Sequence, residues 1–346
     1  MKRIIALALT LMMVLSLAAC GGKSDSAPSD SASSDASSST ADVKAVKLNL
    51  SVPDAESSSI GVAAAEFAKE LNEKSEGRLD VKVYYNGELY GGDATAAVTT
   101  MQDGGLDMLC LATMWYASFD SAFNVINTPY LFSSIDAARA YLNDPVSQPL
   151  WDAVEGMGVK FLAAWTRSFR MTTNNVRPIT CPDDFKGIKL RTPGNQMYLT
   201  FFNACGASAT PMSFSEVYTA LQTNTIDVPY SSSFYEVQKY ISATNHIAEA
   251  WVVGMNPDKF ASLDEDLQTL IAETAQEMQQ WKLDYDNATD QADIDFMVEK
   301  GMEYNELDEA GFAAFQEVSK SLYPEFQKIV DNDDLWNSTI EFAANH

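Results

Sequence analysis

Two arginines placed where short apolar strands should end are the residues best suited to chemistry in this chain. In Gly187-Ile188-Lys189-Leu190-Arg191-Thr192-Pro193 the alternation puts Ile188 and Leu190 on one face of a strand, and Lys189 and Arg191 on the other. Pro193 fixes a turn just afterwards, so the Arg191 guanidinium can project beyond the end of the sheet. Arg170 is set similarly in Ser168-Phe169-Arg170-Met171-Thr172, with Phe169 and Met171 inward. A guanidinium offers a rigid fork that matches a carboxylate in two parallel hydrogen bonds, and it stays charged when poorly hydrated. The chemistry this suggests is capture of an anion. On spacing alone, a structural ion pair with a neighbouring Asp or Glu accounts for either arginine equally well.

Other chemistries find little support. The chain has two histidines, His246 and His346. It lacks a His-Glu-x-x-His, a Cys-x-x-Cys, a G-x-S-x-G, a phosphate-cradling glycine loop and a dinucleotide-binding glycine fingerprint. Carboxylates are plentiful and a glycosidase needs only two, but nothing singles out a pair. The expectation is a protein that is not an enzyme, with no cofactor and no metal. A formal net charge of -25 repels phosphate backbones, which argues against nucleic acid as a partner. The same acidity means that an anion ligand requires deliberately placed arginines. Cys110 lies in an apolar run and reads as a small core residue, while Cys181 and Cys205 could form one bridge that nothing in the sequence requires.

The elements that must position the arginines alternate between strand and helix. Val46–Val52 and Leu79–Tyr85 have period-two alternation, and Leu106–Leu111 is a buried-type strand. Between them lie a helix capped at Ser57–Ser59 with Ile60, Ala64, Phe67 and Leu71 on one face, and another over Ala94–Gln102. This order implies a parallel sheet with right-handed crossovers. The pattern restarts after Gly158 with strands at Val159–Trp165, Phe169–Thr173 and Gly187–Arg191 and a helix over Asn195–Ala204. Ser213 and Glu216 form a capping-box pattern that opens a helix through Gln222. Asp264 is placed to cap a pattern reaching Glu299, which as one helix would be ~50 Å long. Met302–Leu307 reads as a last strand before helices near 308–322 and 335–344.

The first residues carry a separate signal. Lys2 and Arg3 precede an apolar run, Ile4–Leu17, and then Leu17-Ala18-Ala19-Cys20. This has the form of an export signal, and its last four residues resemble the lipobox of bacterial lipoproteins. That resemblance implies lipidation of Cys20, with cleavage before it and anchoring by acyl chains. Residues from Gly21 to about Asp42 are mainly Ser, Ala and Asp and read as a flexible tether. The expected organisation is a signal peptide over 1–19, a tether over 20–42, one lobe from 43–167 plus about 250–290, and a second from 168–249 plus about 291–346. Both lobes are expected to be α/β with a mostly parallel sheet, and the ligand cleft to lie between them.

Several longer stretches resemble one family. Asp183-Asp184-Phe185-Lys186-Gly187-Ile188-Lys189-Leu190-Arg191-Thr192-Pro193, the run Gly206–Asn224, Phe234–Tyr240 and Thr244-Asn245-His246 are similar to the substrate-binding proteins of tripartite ATP-independent periplasmic (TRAP) transporters, the DctP-like family. The resemblance implies two lobes that close on a ligand and a long helix that crosses both. It implies that Arg191 pairs with a substrate carboxylate, that Arg170 makes a second contact to it, and that Phe214 lines the pocket. The partners implied are a small organic anion and the membrane permease of a TRAP system. The protein is expected to act as a monomer at the outer face of the cytoplasmic membrane. Family members commonly have an Asn where this chain reads Asp227-Val228-Pro229-Tyr230-Ser231, so Tyr230 and Ser231 are the candidates to replace it. Ala112 stands where sialic-acid binders carry an acidic residue, which points away from that ligand. The alternatives are a sugar- or peptide-binding lipoprotein of an ATP-driven importer, and a surface sensor or adhesin.

Overall fold

The computed structural model describes residues 44–212, 214–223, 225–226 and 235–346, without the side chains of Phe214 and Ser215. Cys20, Ser213, Tyr230 and Ser231 lie outside the described residues. Among those described there are ten strands: β1 Val46–Ser51, β2 Leu79–Tyr84, β3 Met108–Ala112, β4 Lys160–Phe169, β5 Thr172–Asn174, β6 Lys189–Thr192, β7 Ser208–Pro211, β8 Tyr240–Ala243, β9 Ala248–Met255 and β10 Glu303–Glu306. They form a five-stranded sheet in the order β2-β1-β3-β9-β4, a three-stranded sheet β10-β8-β5, and the pair β6-β7.

The architecture is two-lobed α/β, and its sheets are mixed where a mostly parallel arrangement was expected. β1 is parallel to β2 and β3, as the strand–helix–strand order requires. β9 instead runs antiparallel to both β3 and β4, and β5 antiparallel to β8. The reason lies in the connections: β8 feeds β9, and β4 feeds β5, through short segments that pass from one sheet to the other. Covered by strands on both sides, β9 is buried at all eight positions, which explains its near-continuous apolar sequence.

Ser58 caps the helix Ser59–Lys74 by accepting the Gly61 N–H at 3.0 Å, and Ile60, Ala64, Phe67 and Leu71 are buried as their spacing predicts. Phe67 meets Trp165 of β4 edge to face, with ring centroids 5.6 Å apart. The helix Glu265–Glu299 is continuous over 35 residues. Its first half packs Leu267, Ile271, Ala275 and Met278 into the main core, and the Trp165 indole donates to the Ala275 carbonyl at 2.9 Å. Its last turns put Ile294 and Met297 into a different cluster with Ile241 and Met302. Asp264 occupies the N-cap position, but its side chain makes no capping bond. Cys181 and Cys205 are free thiols, as is Cys110. No described helix is long and apolar enough to cross a membrane.

Candidate functional site

The chain passes between the two larger sheets at Arg170–Met171 and at Thr244–Ile247. The two passages are tied to each other: the Arg170 N–H donates to the Ile247 carbonyl at 2.9 Å, and the His246 N–H donates to the Arg170 carbonyl at 3.3 Å. Asn245 turns with φ 48°, a conformation that Asn tolerates better than most residues. Tyr130 holds the passage from the side, its N–H donating to the His246 carbonyl at 2.8 Å and its hydroxyl to the Thr244 carbonyl at 2.8 Å. The backbone therefore fixes where the Arg170 side chain begins.

That side chain enters a buried charge network. Glu249 of β9, 1 % exposed, accepts from Arg170 and, at 3.3 Å, from Arg167 of β4. Burial opposes the Glu249 charge, but the two guanidinia outweigh it and hold its carboxyl below the ordinary range. Burial likewise opposes the Arg170 charge, and Glu249 offsets it so that Arg170 binds its proton more tightly than usual. The Arg170 guanidinium also lies over the Tyr198 ring, 5.8 Å from the centroid, while the Tyr198 hydroxyl donates to Asn127 at 3.2 Å. Among the described residues the Arg170 Nε finds no hydrogen-bond partner.

Arg191 comes from β6, where Leu190 and Thr192 are buried and Arg191 alternates with them toward the opposite face. Its Nε donates to the Met212 carbonyl at 2.9 Å, a bond that fixes the plane of the guanidinium. Burial and the nearby charge of Arg170 together lower its pKa to about 10. The fold thus brings the two arginines marked by the sequence into one electrostatic neighbourhood, Arg191 from β6 and Arg170 from the break between β4 and β5. Phe214 starts the helix Phe214–Gln222 next to the Met212 anchor of Arg191.

Four further residues belong to this neighbourhood, and of these only Glu249 was marked by the sequence. Glu249 is a lone charge inside the apolar run Ile247–Met255, and a charge buried in such a run needs a partner. Arg167, Tyr198 and Asp54 had no comparable mark. Asp54, in the loop after β1, is half-buried and feels the charges of Arg167, Glu249 and Arg170. A separate cavity of about 160 Å³ beside the passages is bordered by Met171, Asn245, Asp286 and Asp290. Its acidic wall is unsuited to an anion. Among the described residues no group of His, Cys, Asp and Glu side chains is arranged to hold a metal ion.

Residues 51–329 match the family model for bacterial extracellular solute-binding protein, family 7 (DctP). The chain belongs to this family. Among curated DctP-related proteins, the 2,3-diketo-L-gulonate-binding periplasmic protein YiaO of Escherichia coli (strain K12) is 32% identical over 79% of this chain and 85% of its own length. The C4-dicarboxylate-binding protein DctB of Bacillus subtilis (strain 168) is 28% identical over 67% of each chain. Among solved structures, the sugar acid binding protein DctPAm of Advenella mimigardefordensis in complex with galactonate superposes with a TM-score of 0.81 at 27% identity, covering 88% of this chain and 99% of its own. A TRAP periplasmic solute binding protein of Chromohalobacter salexigens with bound D-glucuronate gives 0.79 at 26%, covering 86% and 100%. DctP proteins form a receptor family of extracytoplasmic solute-binding proteins.

Proposed function

We propose that this protein binds a small organic acid through its carboxylate, with Arg191 and Arg170 as the clamp, and delivers it to a TRAP-type membrane permease. The observation that carries the reading is the nearness of two largely buried guanidinia, one from β6 and one from the passage between β4 and β5, in a strongly acidic chain. Two cations held near each other gain most when an anion is placed between them, because each then loses repulsion and acquires charge-assisted hydrogen bonds. The ligands in the names of the relatives, a diketo-gulonate, a C4-dicarboxylate, galactonate and D-glucuronate, are all carboxylates and support this class.

The lobes we infer are residues 43–167 with about 250–290, and 168–249 with about 291–346. The tied passages at Arg170 and His246 then form the hinge, with the helix Glu265–Glu299 bracing both sides. Ligand binding selects the closed arrangement by its preference for it, and the closed receptor is the form that docks on the permease. Phe214, Tyr230 and Ser231 complete the pocket wall in this reading. The receptor works as a monomer and is held at the outer face of the cytoplasmic membrane by lipid on Cys20. Incorporation of radiolabelled fatty acid into the wild-type protein but not into Cys20→Ala tests the anchor. Isothermal titration with a panel of organic acids tests the receptor: binding of an acid that disappears in Arg191→Ala supports the clamp, and unchanged affinity in that variant overturns it.

A further inference from the structure

A buried ladder carries the ring against which Arg170 rests. Asn124, Asn127 and Tyr130 recur every third residue in and just beyond the 3₁₀ segment Ser121–Asn127, where side chains three apart line up. They face Asn195, Tyr198 and Phe201, which recur every third residue along the helix Gln196–Ala204 and its cap. The Asn195 Nδ2 donates to the Asn124 Oδ1 at 3.0 Å, and the Tyr198 hydroxyl donates to the Asn127 Oδ1 at 3.2 Å. In the third rung the Phe201 and Tyr130 rings meet with centroids 5.8 Å apart. All six side chains are buried.

The polar rungs are held from behind as well. The Asn124 Nδ2 donates to the Ser121 carbonyl at 2.9 Å, and the Asn127 Nδ2 to the Phe123 carbonyl at 2.9 Å. The Asn195 Oδ1 caps its helix by accepting the Met197 N–H at 2.9 Å. Each amide is therefore committed at both ends, and reversing one would set donor against donor in a buried place. Both ends of the ladder reach the clamp. Asn195 follows Arg191 by four residues, through the turn that joins β6 to the helix. Tyr130 holds the passage that carries Arg170, through its bonds to the His246 and Thr244 carbonyls. The middle rung supplies Tyr198, whose ring centroid is 5.8 Å from the Arg170 guanidinium carbon.

Resting on the reading of the protein as a carboxylate receptor, we propose that Tyr198, tied at its hydroxyl by Asn127, is a positioning residue that fixes where Arg170 stands relative to Arg191. Phenylalanine would offer Arg170 the same ring face. The hydroxyl adds a bond that pins the tip of the ring, and with it the platform under the guanidinium. Two guanidinia gripping one carboxylate need such support, because a fork a fraction of an ångström out of place loses part of its paired hydrogen bonds. A clamp set before the ligand arrives also avoids the cost of ordering it on binding.

The test uses Tyr198→Phe in the full chain, with two readouts. Isothermal titration with D-galactonate, D-glucuronate, pyruvate and succinate identifies the acid that the wild type binds most tightly. Tyr198→Phe should weaken that acid about tenfold, but less than twofold when Arg170 is already replaced in Arg170→Lys. The second readout needs no ligand. In protein labelled with ¹⁵N-arginine, the Arg170 guanidinium signal, recognised by its loss in Arg170→Lys, should shift or broaden in Tyr198→Phe. Asn195→Ser keeps a capping oxygen and removes the donor to Asn124; it should weaken the same acid severalfold, and it takes the place of Tyr198→Phe if that variant does not fold. Unchanged affinity, an unmoved Arg170 signal, or an equal loss in the Arg170→Lys background overturns the positioning role. The receptor reading fails differently: none of the acids binds the wild type, or affinity is unchanged in Arg191→Ala.

Discussion

Arg191 and Arg170 stand close enough for their charges to repel, and burial with that repulsion brings the Arg191 pKa down to about 10. The two differ in how they are held. Arg170 is bound to the buried carboxylate of Glu249, whereas the Arg191 Nε donates to the Met212 carbonyl at 2.9 Å. Arg191→Ala should therefore weaken binding of the cognate acid by ~2–5 kcal/mol. Arg191→Lys should recover only part of this, because a point charge replaces a planar fork. Titration calorimetry gives both numbers, and equal affinity in Lys and wild type would show that charge alone suffices.

Glu249 is the counter-charge for two guanidinia at once. Glu249→Gln keeps the shape of the side chain and removes its charge, so both guanidinia lose this carboxylate. We expect a loss of ~3–5 kcal/mol in stability by urea denaturation, the cost of breaking a buried pair by removing one side. Relocation of Arg170 should also weaken ligand binding in the folded fraction. A stability change within experimental error would mean that solvent or another group compensates.

The position of Asp54 depends on a glycine seven residues later. A Cβ on Gly61, in the first turn of the helix Ser59–Lys74, would lie 2.2 Å from the Ala55 carbonyl oxygen and 2.8 Å from that of Glu56. Both are backbone atoms of the loop that carries Asp54, so the loop must move. Gly61→Ala should cost ~1–3 kcal/mol as an overpacking change, despite the better helix propensity of Ala. Thermal unfolding checks the stability. Affinity for the cognate acid should fall with it, and a variant more stable than the wild type would contradict the clash.

What could be read from the sequence follows from how local each signal is. The helix Glu265–Glu299 announced itself by an unbroken pattern, and the strand carrying Arg191 by alternation and a following Pro193. The antiparallel entry of β9 did not, because a buried strand reads the same in either direction and its orientation is set by the passage at Thr244–Ile247. Arg170 was expected on a strand and instead occupies the break between β4 and β5, where a few residues carry the chain between sheets. Glu249 was detectable as a charge in an apolar run, but its partners come from residues about eighty positions away. Asp54 gave no signal at all, since a loop aspartate acquires meaning only from what the fold places beside it. The Cys181–Cys205 bridge, left open by composition, is absent because both thiols are free.

His246 supplies a pH test of the passage between the sheets. Its ring Nδ1 lies 2.9 Å from the Thr244 hydroxyl, and its face meets Phe202 edge-on at 5.2 Å. Burial, aided by the charge of Arg170, lowers its pKa from 6.5 to about 3. The unfolded chain therefore binds a proton at this site over a range where the folded chain does not. The stability contributed by neutral His246 is fully present above pH 6.5 and is lost as pH falls toward 3, with a slope of up to ~1.4 kcal/mol per pH unit. Glu249, whose folded pKa is lowered, acts in the same direction at lower pH, whereas Asp54, whose pKa is raised, opposes it. The contribution of His246 is isolated by comparing wild type with His246→Gln, which retains a hydrogen-bonding side chain and cannot titrate. Urea unfolding at pH 7, 6, 5 and 4 should show the wild type losing stability faster than the variant, by about one proton's worth between pH 6 and 4. Parallel pH profiles for the two proteins would mean that the imidazole is protonated in the folded passage, and that the charge of Arg170 is screened there.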